Sequence, residues 1–261
     1  MKSIKGILSD IDGTLYFKGV PVPGAVEAVE VLRKKGIKLL FFTNTDSKTP
    51  KNVYKSLIEY GFKLKEDEIF TPIIALKEFL SDKTGVKLFL VTTEEVKEEF
   101  REFRFVRGTE VPDYVIVGDF RDNWDVNRLN EAFRHVIKHK AILLGTQGNK
   151  YYLDLNGEPV IDTGSFVHMI ANAANVKPKI FGKPSKEYFL QALKRLNISA
   201  NDTIVVGDDI ETDILGAQNA NLKGILVKTG KGQFFNSSGS IIPYKVIDSF
   251  SSLTELMQIS L

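Results

Sequence analysis

Cysteine is absent from all 261 residues. That excludes a disulfide framework and a thiolate-bound metal, and it fits a reducing cytoplasm, where the chain is expected to act. Charge of one sign is not in excess: 35 Lys and Arg stand against 33 Asp and Glu, a formal net of +2. Such a balance argues against nucleic acid or an anionic membrane as the partner. No apolar run approaches the roughly 18 residues of a membrane span. The opening MKSIKGILSDIDG is no signal peptide, because its apolar run is short and meets an Asp. Repeats and low-complexity segments are missing too. What remains is ordinary soluble composition, 43% hydrophobic and 26% charged. The length suits one large domain or two smaller ones.

The chain alternates strand and helix signals. Ile4 to Asp10 reads as a buried strand, and AVEAVEVLRKKG after Pro23 and Gly24 as a helix stopped by Gly36. IKLLFFTN, Ile37 to Asn44, is a near-continuous apolar run of the kind central parallel strands carry. A second helix, PKNVYKSLIEYG, ends at Gly61. The rhythm returns late: PKIFGKP as a short strand, EYFLQALKRL as a helix, DTIVVGDD as a strand, ETDILGAQNAN as a helix, and KGILVKTG as the last clear strand. Between lie VKLFLVTT, DYVIVGDF, KAILLGT and KYYLDLNGEPV, all strand-like, with the helical EEVKEEFREF and VNRLNEAFRHVIKH among them. The fold class expected is α/β, with a parallel sheet and helices on both faces. Residues 80–177 read as a second α/β module inserted into a core of 1–79 and 178–261. The tail FFNSSGSIIPY is loop-like and is assigned no role.

The stretch GILSDIDGTLYF poses the chemical question. Two carboxylates, Asp10 and Asp12, stand at the tip of a buried strand. At ~4 Å their repulsion is about 4 kcal/mol at an effective dielectric near 20, so positive charge or a shared proton must offset it. Other strand ends supply partners: Thr43 and Asn44, Lys183, and Asp208 with Asp209. In an open parallel sheet those ends form one rim, where ligands bind. Carboxylates, a lysine, a hydroxyl and an amide together suit a phosphate and a hard dication such as Mg²⁺. A calcium loop of the EF-hand type is rejected, because Gly13 falls at the fourth position rather than the sixth.

In order, DIDGTL, FFTNT, FGKP and VVGDDIETD resemble the four motifs of the haloacid dehalogenase-like phosphohydrolases. PVPGAVEAVEVLRKKG, TNT and GKPSKEYF are similar to the class IIA group, which includes para-nitrophenyl phosphatase-like, phosphoglycolate phosphatase-like and pyridoxal phosphate phosphatase-like enzymes and NagD. Many members have Asn or Ser where this chain has Thr45. The resemblance implies a Rossmann-like core with an α/β cap inserted between the second and third motifs. It implies a Mg²⁺-dependent phosphatase acting on small phosphomonoesters through an aspartyl-phosphate. Asp10 would be the nucleophile and Asp12 the general acid and base. Thr43, Asn44 and Lys183, with loop amides near Ile11 and Asp12, would hold the phosphate. Asp10, the backbone carbonyl of Asp12, and Asp208 would hold the metal. Asp209 and Asp213 would orient the metal's waters or Lys183. The partner expected is a small phosphorylated metabolite, with no nucleic acid and no membrane, and a homodimer through the cap is an expectation of the same resemblance. Alternatives are a phosphomutase using the same aspartate and a non-catalytic phosphate-binding regulator. The segment GTQGNKYYLDLNGE, Gly145 to Glu158, is the expected determinant of substrate choice.

Three decoys are set aside. SDKTG resembles the phosphorylated motif of ion pumps but follows a helical pattern, IIALKEFL, where that motif requires a strand. His135 and His139 lie four apart on a helix without the Glu of a zinc protease, and are read as a solvated basic face. TGKGQF is glycine-rich but opens no clear helix, so it is not read as a nucleotide site.

Overall fold

A computed structural model gives the architecture. It describes residues 4–258 except 108, 121–123, 155 and 237–238. Positions 237 and 238 of the unassigned tail, and 155 of the segment expected to choose substrate, lie outside the described residues.

Gly6–Ser9 is buried along its whole length, which explains its apolar Gly6, Ile7 and Leu8. It pairs in parallel with Thr203–Gly207 on one side and Lys38–Phe42 on the other. Lys223–Val227 and Lys245–Ile247 extend the sheet beyond Thr203–Gly207, and Ile69–Phe70 closes the opposite edge. All six strands run parallel, so their C-terminal ends share one rim. Strand alternation sends Ile7, Leu39, Phe41, Ile204 and Val206 to one face, where they meet Val29 and Leu32 of the Ala25–Lys34 helix and Leu253. Phe42 faces the other way and meets Phe189 of the Lys186–Leu196 helix edge-on at 5.1 Å. The sheet is thus covered on both sides, as the α/β expectation requires.

The middle of the chain builds a second parallel sheet of five strands. Its order is Lys179–Ile180, Ile142–Gly145, Tyr114–Val117, Lys87–Val91 and Arg104–Phe105. Val115, Val117, Phe89, Leu143, Leu129, Val136 and Val167 form its own apolar core. A hairpin of Tyr151–Leu153 and Pro159–Ile161 accompanies it. Asp125 accepts from Asn127 N and Asp162 from Thr163 N, capping the helices Val126–His139 and Thr163–Ala174.

By contact density the chain divides into two compact units. The first holds residues up to Thr43, then Lys51–Phe70, then everything from Lys183; the second holds Asn44–Pro50 and Thr71–Gly182. Lys179–Ile180 therefore departs from the reading of PKIFGKP as a returning core strand. Its two residues pair with Leu144 and Gly145 of the five-stranded sheet. Lys245–Ile247 is a further strand after KGILVKTG, too short to show a period.

The decoys resolve in part as expected. IIALKEFL lies inside the helix Pro72–Ser81, and Gly85 turns left-handed at φ 68° beyond it. His135 corrects the solvated-face reading. Its ring packs 4.8 Å from Phe89, and burial pushes its pKa down, while His139 is exposed.

Candidate active site

Asp10 follows the last residue of Gly6–Ser9, and its backbone N–H still donates to Val206 O at 2.8 Å, prolonging the ladder. The strand therefore carries the carboxylate to the rim and leaves it 4% exposed. The chain then turns sharply: Leu15 N donates to Ile11 O at 2.8 Å and Gly13 N to Tyr16 O at 2.7 Å. That turn brings the Thr14 hydroxyl back onto Asp10 Oδ2 at 2.9 Å. The Ile11 amide is also hydrogen-bonded to the Asp10 carboxylate. Asp12, two residues on, is exposed and hydrogen-bonded by the Tyr16 side chain. The two carboxylates of DIDG thus stand in different surroundings, one dry and one wet.

The positive charge demanded by the sequence is Lys183. Its Nζ lies 2.5 Å from Asp10 Oδ1 and 2.7 Å from Asp213 Oδ1, with all three side chains buried. It also sits 4.9 Å above the Phe42 ring. Burial alone would push the Lys183 pKa down; Asp10 and Asp213 outweigh it, so the ammonium is held more firmly charged. One ammonium does not balance the carboxylates around it. Asp10, Asp208 and Asp213 each present an oxygen within 4.8 Å of the others'. Burial pushes Asp10 upward against the pull of Lys183. It pushes Asp213 up to about 7, again opposed by Lys183. Asp208 rises well above the usual range, through burial and then the charges of Asp10, Asp213 and Asp209. A buried all-oxygen set short of positive charge is what a hard dication requires, so the donor chemistry fits Mg²⁺.

The remaining predicted residues fall as follows. Thr43 is buried at the end of the neighbouring strand, its carbonyl accepting from Tyr188 Oη at 2.8 Å. Asn44 belongs to the second unit, where Nδ2 donates to Asn149 Oδ1 at 2.8 Å. Asp213 bonds Lys183 directly, and its Oδ2 accepts from Asp209 N at 3.1 Å. Asp209 itself pairs with Lys231 at 2.7 Å rather than with Lys183. Burial would raise Asp209, but Lys231 outweighs it and the pKa falls.

Three contributors were not read from the sequence. Thr14 could have been found from its fixed place four residues after Asp10. Tyr188 bridges the carbonyls of Thr43 and Phe70 at 2.8 and 3.0 Å and stacks on Phe70 at 5.0 Å. Its signal was the buried-helix position in SKEYF. Lys231 lies in TGKGQF, set aside for want of a helix.

Comparison with known proteins gives this geometry its context. A family described as haloacid dehalogenase-like hydrolase matches residues 7–106, and one described as HAD-hydrolase-like matches residues 180–253. Haloacid dehalogenase-like hydrolase domain-containing protein 2 of Bos taurus is 32% identical, over 95% of this chain and 94% of its own length. The chain belongs to the haloacid dehalogenase-like hydrolases. A Danio rerio protein named phospholysine phosphohistidine inorganic pyrophosphate phosphatase is 32% identical over 88% of this chain and 85% of its own. The p-nitrophenyl phosphatase of Archaeoglobus fulgidus superposes with a TM-score of 0.89 at 26% identity, covering 97% of this chain and 99% of that one. The two matched ranges of this haloacid dehalogenase-like hydrolase include Asp10, Asp12, Thr43 and Asn44 in the first, and Lys183, Asp208, Asp209 and Asp213 in the second. Among the described residues no helix is long and apolar enough to cross a membrane.

Proposed function

We propose that this hydrolase is a Mg²⁺-dependent phosphatase that cleaves small phosphomonoesters through an aspartyl-phosphate on Asp10. The observation that carries the reading is the buried Asp10–Lys183–Asp213 ion triple beside Asp208. A nucleophilic carboxylate needs to be ionised in a dry site; burial works against that, and Lys183 supplies the charge that works for it.

In the first step a carboxylate oxygen of Asp10 attacks phosphorus and the bond to the ester oxygen breaks. Asp12 donates its proton to that departing oxygen. In the second step Asp12 takes a proton from water as the water oxygen attacks phosphorus. The bond to Asp10 then breaks, inorganic phosphate leaves, and both carboxyls return to their starting states. Thr14 and Lys183 hold the two oxygens of Asp10 and so fix its direction of attack. Lys183, Thr43, Asn44 and the loop amides near Ile11 and Asp12 neutralise the charge on the transferred oxygens. Asp10, Asp208 and the Asp12 carbonyl would hold Mg²⁺, whose charge would draw electrons from the phosphoryl group and lower the upward-shifted carboxyl pKa values. Residues 80–177 belong to this proposal as the cap that governs substrate choice, with Gly145 to Glu158 as its contact segment.

The test is phosphate release from a panel of alkyl and aryl phosphates with and without Mg²⁺. Pyrophosphate and phospholysine join the panel because the zebrafish relative's name contains them. Mg²⁺-dependent release from at least one compound is expected. A phosphosugar isomerised without accumulation of phosphate would replace the proposal with the mutase. Phosphate bound but never turned over, by a chain that also binds Mg²⁺, would replace it with the regulator.

A further inference from the structure

The TGKGQF segment lies against the acidic rim of the first unit. Thr229 Oγ1 donates to Gly13 O at 2.5 Å, joining it to the loop after Asp10. Lys231 N donates to Asp208 Oδ2 at 2.7 Å. The same residue's Nζ reaches Asp209 Oδ2, also at 2.7 Å. One residue therefore holds two consecutive carboxylates, the first by its backbone and the second by its side chain.

The approach is close enough to dictate glycine on both sides. A Cβ on Gly230, which sits at φ 50°, would lie 2.1 Å from Asp208 Oδ2. A Cβ on Gly13, at φ 84°, would lie 2.2 Å from the same oxygen. Asp208 Oδ2 is thus walled by two glycines and engaged by an amide. The turn that presents this amide is closed by Gly232 N to Thr229 O at 2.9 Å and by Gln233 Nε2 to Gly230 O at 2.6 Å. Asp209 is fixed in its turn, since Oδ1 accepts from Glu211 N at 2.9 Å.

We propose that Lys231 is a positioning residue for Asp208: its side chain, anchored on Asp209, holds the turn whose backbone N–H clasps Asp208 Oδ2, so that Oδ1 is the oxygen offered to the divalent cation. The inference rests on the reading of Asp208 as a Mg²⁺ ligand. The clasp touches no reacting atom and acts through a ligand, so its loss shows in cation affinity more than in the chemical step. Residues that orient a metal ligand typically change affinity by 10- to 100-fold. The ammonium is one arm of two, so Lys231→Met should weaken Mg²⁺ binding by about tenfold, at the low end of that range. Lys231→Arg keeps a cation in reach of Asp209 and should recover most of the loss.

The experiment is calorimetric titration of the full-length chain with Mg²⁺, beside the Mg²⁺ dependence of the rise in melting temperature. Wild type, Lys231→Met, Lys231→Arg, Asp209→Asn, the double variant Lys231→Met/Asp209→Asn and Asp208→Asn are compared. Weaker binding in Lys231→Met, recovery in Lys231→Arg, and a double variant no worse than the poorer single one support the clasp. Binding by Lys231→Met within twofold of wild type overturns it while Asp208→Asn still loses the ion. Wild-type binding by Asp208→Asn overturns the Mg²⁺ assignment itself, and the clasp with it. Should Lys231→Met fail to fold, Asp209→Asn decides alone, because it severs the same arm from the other end.

Discussion

The two parallel sheets of this chain are built alike and end differently. In the first, the strands Gly6–Ser9, Lys38–Phe42 and Thr203–Gly207 run into Asp10, Thr43 and Asp208. In the second, Lys87–Val91 is followed by Thr92 and Thr93, Tyr114–Val117 by Gly118 and Asp119, and Ile142–Gly145 by Thr146 and Gln147. Both rims are buried and polar. The first gathers three carboxylates, two of them paired with one ammonium. The second is mostly hydroxyl and amide: Thr146 Oγ1 bonds Asp46, and Gln147 Oε1 accepts from Asn149 N at 2.5 Å. One architecture therefore yields a rim rich in buried carboxylates and a rim of mostly neutral polar groups. The difference lies in the few residues after each strand rather than in the strands, which is why fold alone does not assign chemistry.

That contrast can be broken from its acidic side. Asp10→Asn keeps shape and removes the nucleophilic charge, and should lower kcat by roughly 10³-fold or more. Circular dichroism and phosphate binding should hardly change; activity within tenfold of wild type would defeat the covalent route. Lys183→Ala leaves the transferred charge without its ammonium. A charged hydrogen bond is worth ~1.5–3 kcal/mol, or roughly 10- to 150-fold in kcat/KM. A loss below twofold would remove Lys183 from the proposed chemistry.

A pH experiment sharpens the same contrast more gently. Folding raises Asp213 from 3.8 to about 7. Between those values the folded chain holds a proton that the unfolded chain has released. Its contribution to stability is therefore complete below about 4 and lost as pH rises to about 7. The melting temperature of wild type relative to Asp213→Asn should fall across that window without Mg²⁺ and stay flatter with it. A constant difference would show that Asp213 keeps its usual acidity.

The smallest effect is expected on the second rim. Thr92 is buried and its hydroxyl donates to Thr93 O at 3.2 Å. Thr92→Val should cost about 1 kcal/mol of stability, read from a urea midpoint. Turnover of para-nitrophenyl phosphate should move far less than in Lys183→Ala. A larger change in kcat than in stability would mean that the second rim takes part in the chemistry.

The acidic rim was legible because charge after an apolar run is conspicuous. Asp10 and Asp208 each end such a run, and the strand rule carries both to one edge. Lys183 was placed by its motif, although the strand before it joins the other sheet; two residues, Lys179 and Ile180, carry no period that could assign them. Ile69–Phe70 and Lys245–Ile247 escaped for the same reason. Thr14, Tyr188 and Lys231 act through contacts that composition does not mark. Lys231 meets Asp208 across 23 positions and Tyr188 meets Thr43 across 145. No local pattern reports such pairings. Asn44 is another such pairing: its side chain donates to Asn149 Oδ1, 105 positions away.

The pairing of Gly6 with Thr203 has a consequence for how the chain comes off the ribosome. The central sheet strand waits for a neighbour made almost two hundred residues later. The second unit, nearly continuous from Thr71 to Gly182, is fully synthesised before that neighbour exists. Domains generally fold as units during synthesis, and distant pairings close late. A nascent chain halted at residue 200 should therefore show a protease-resistant middle and a labile N-terminal third. The acidic rim would be the last part to assemble, so its buried charges would leave water only when Lys183, Asp208 and Asp213 are all at hand.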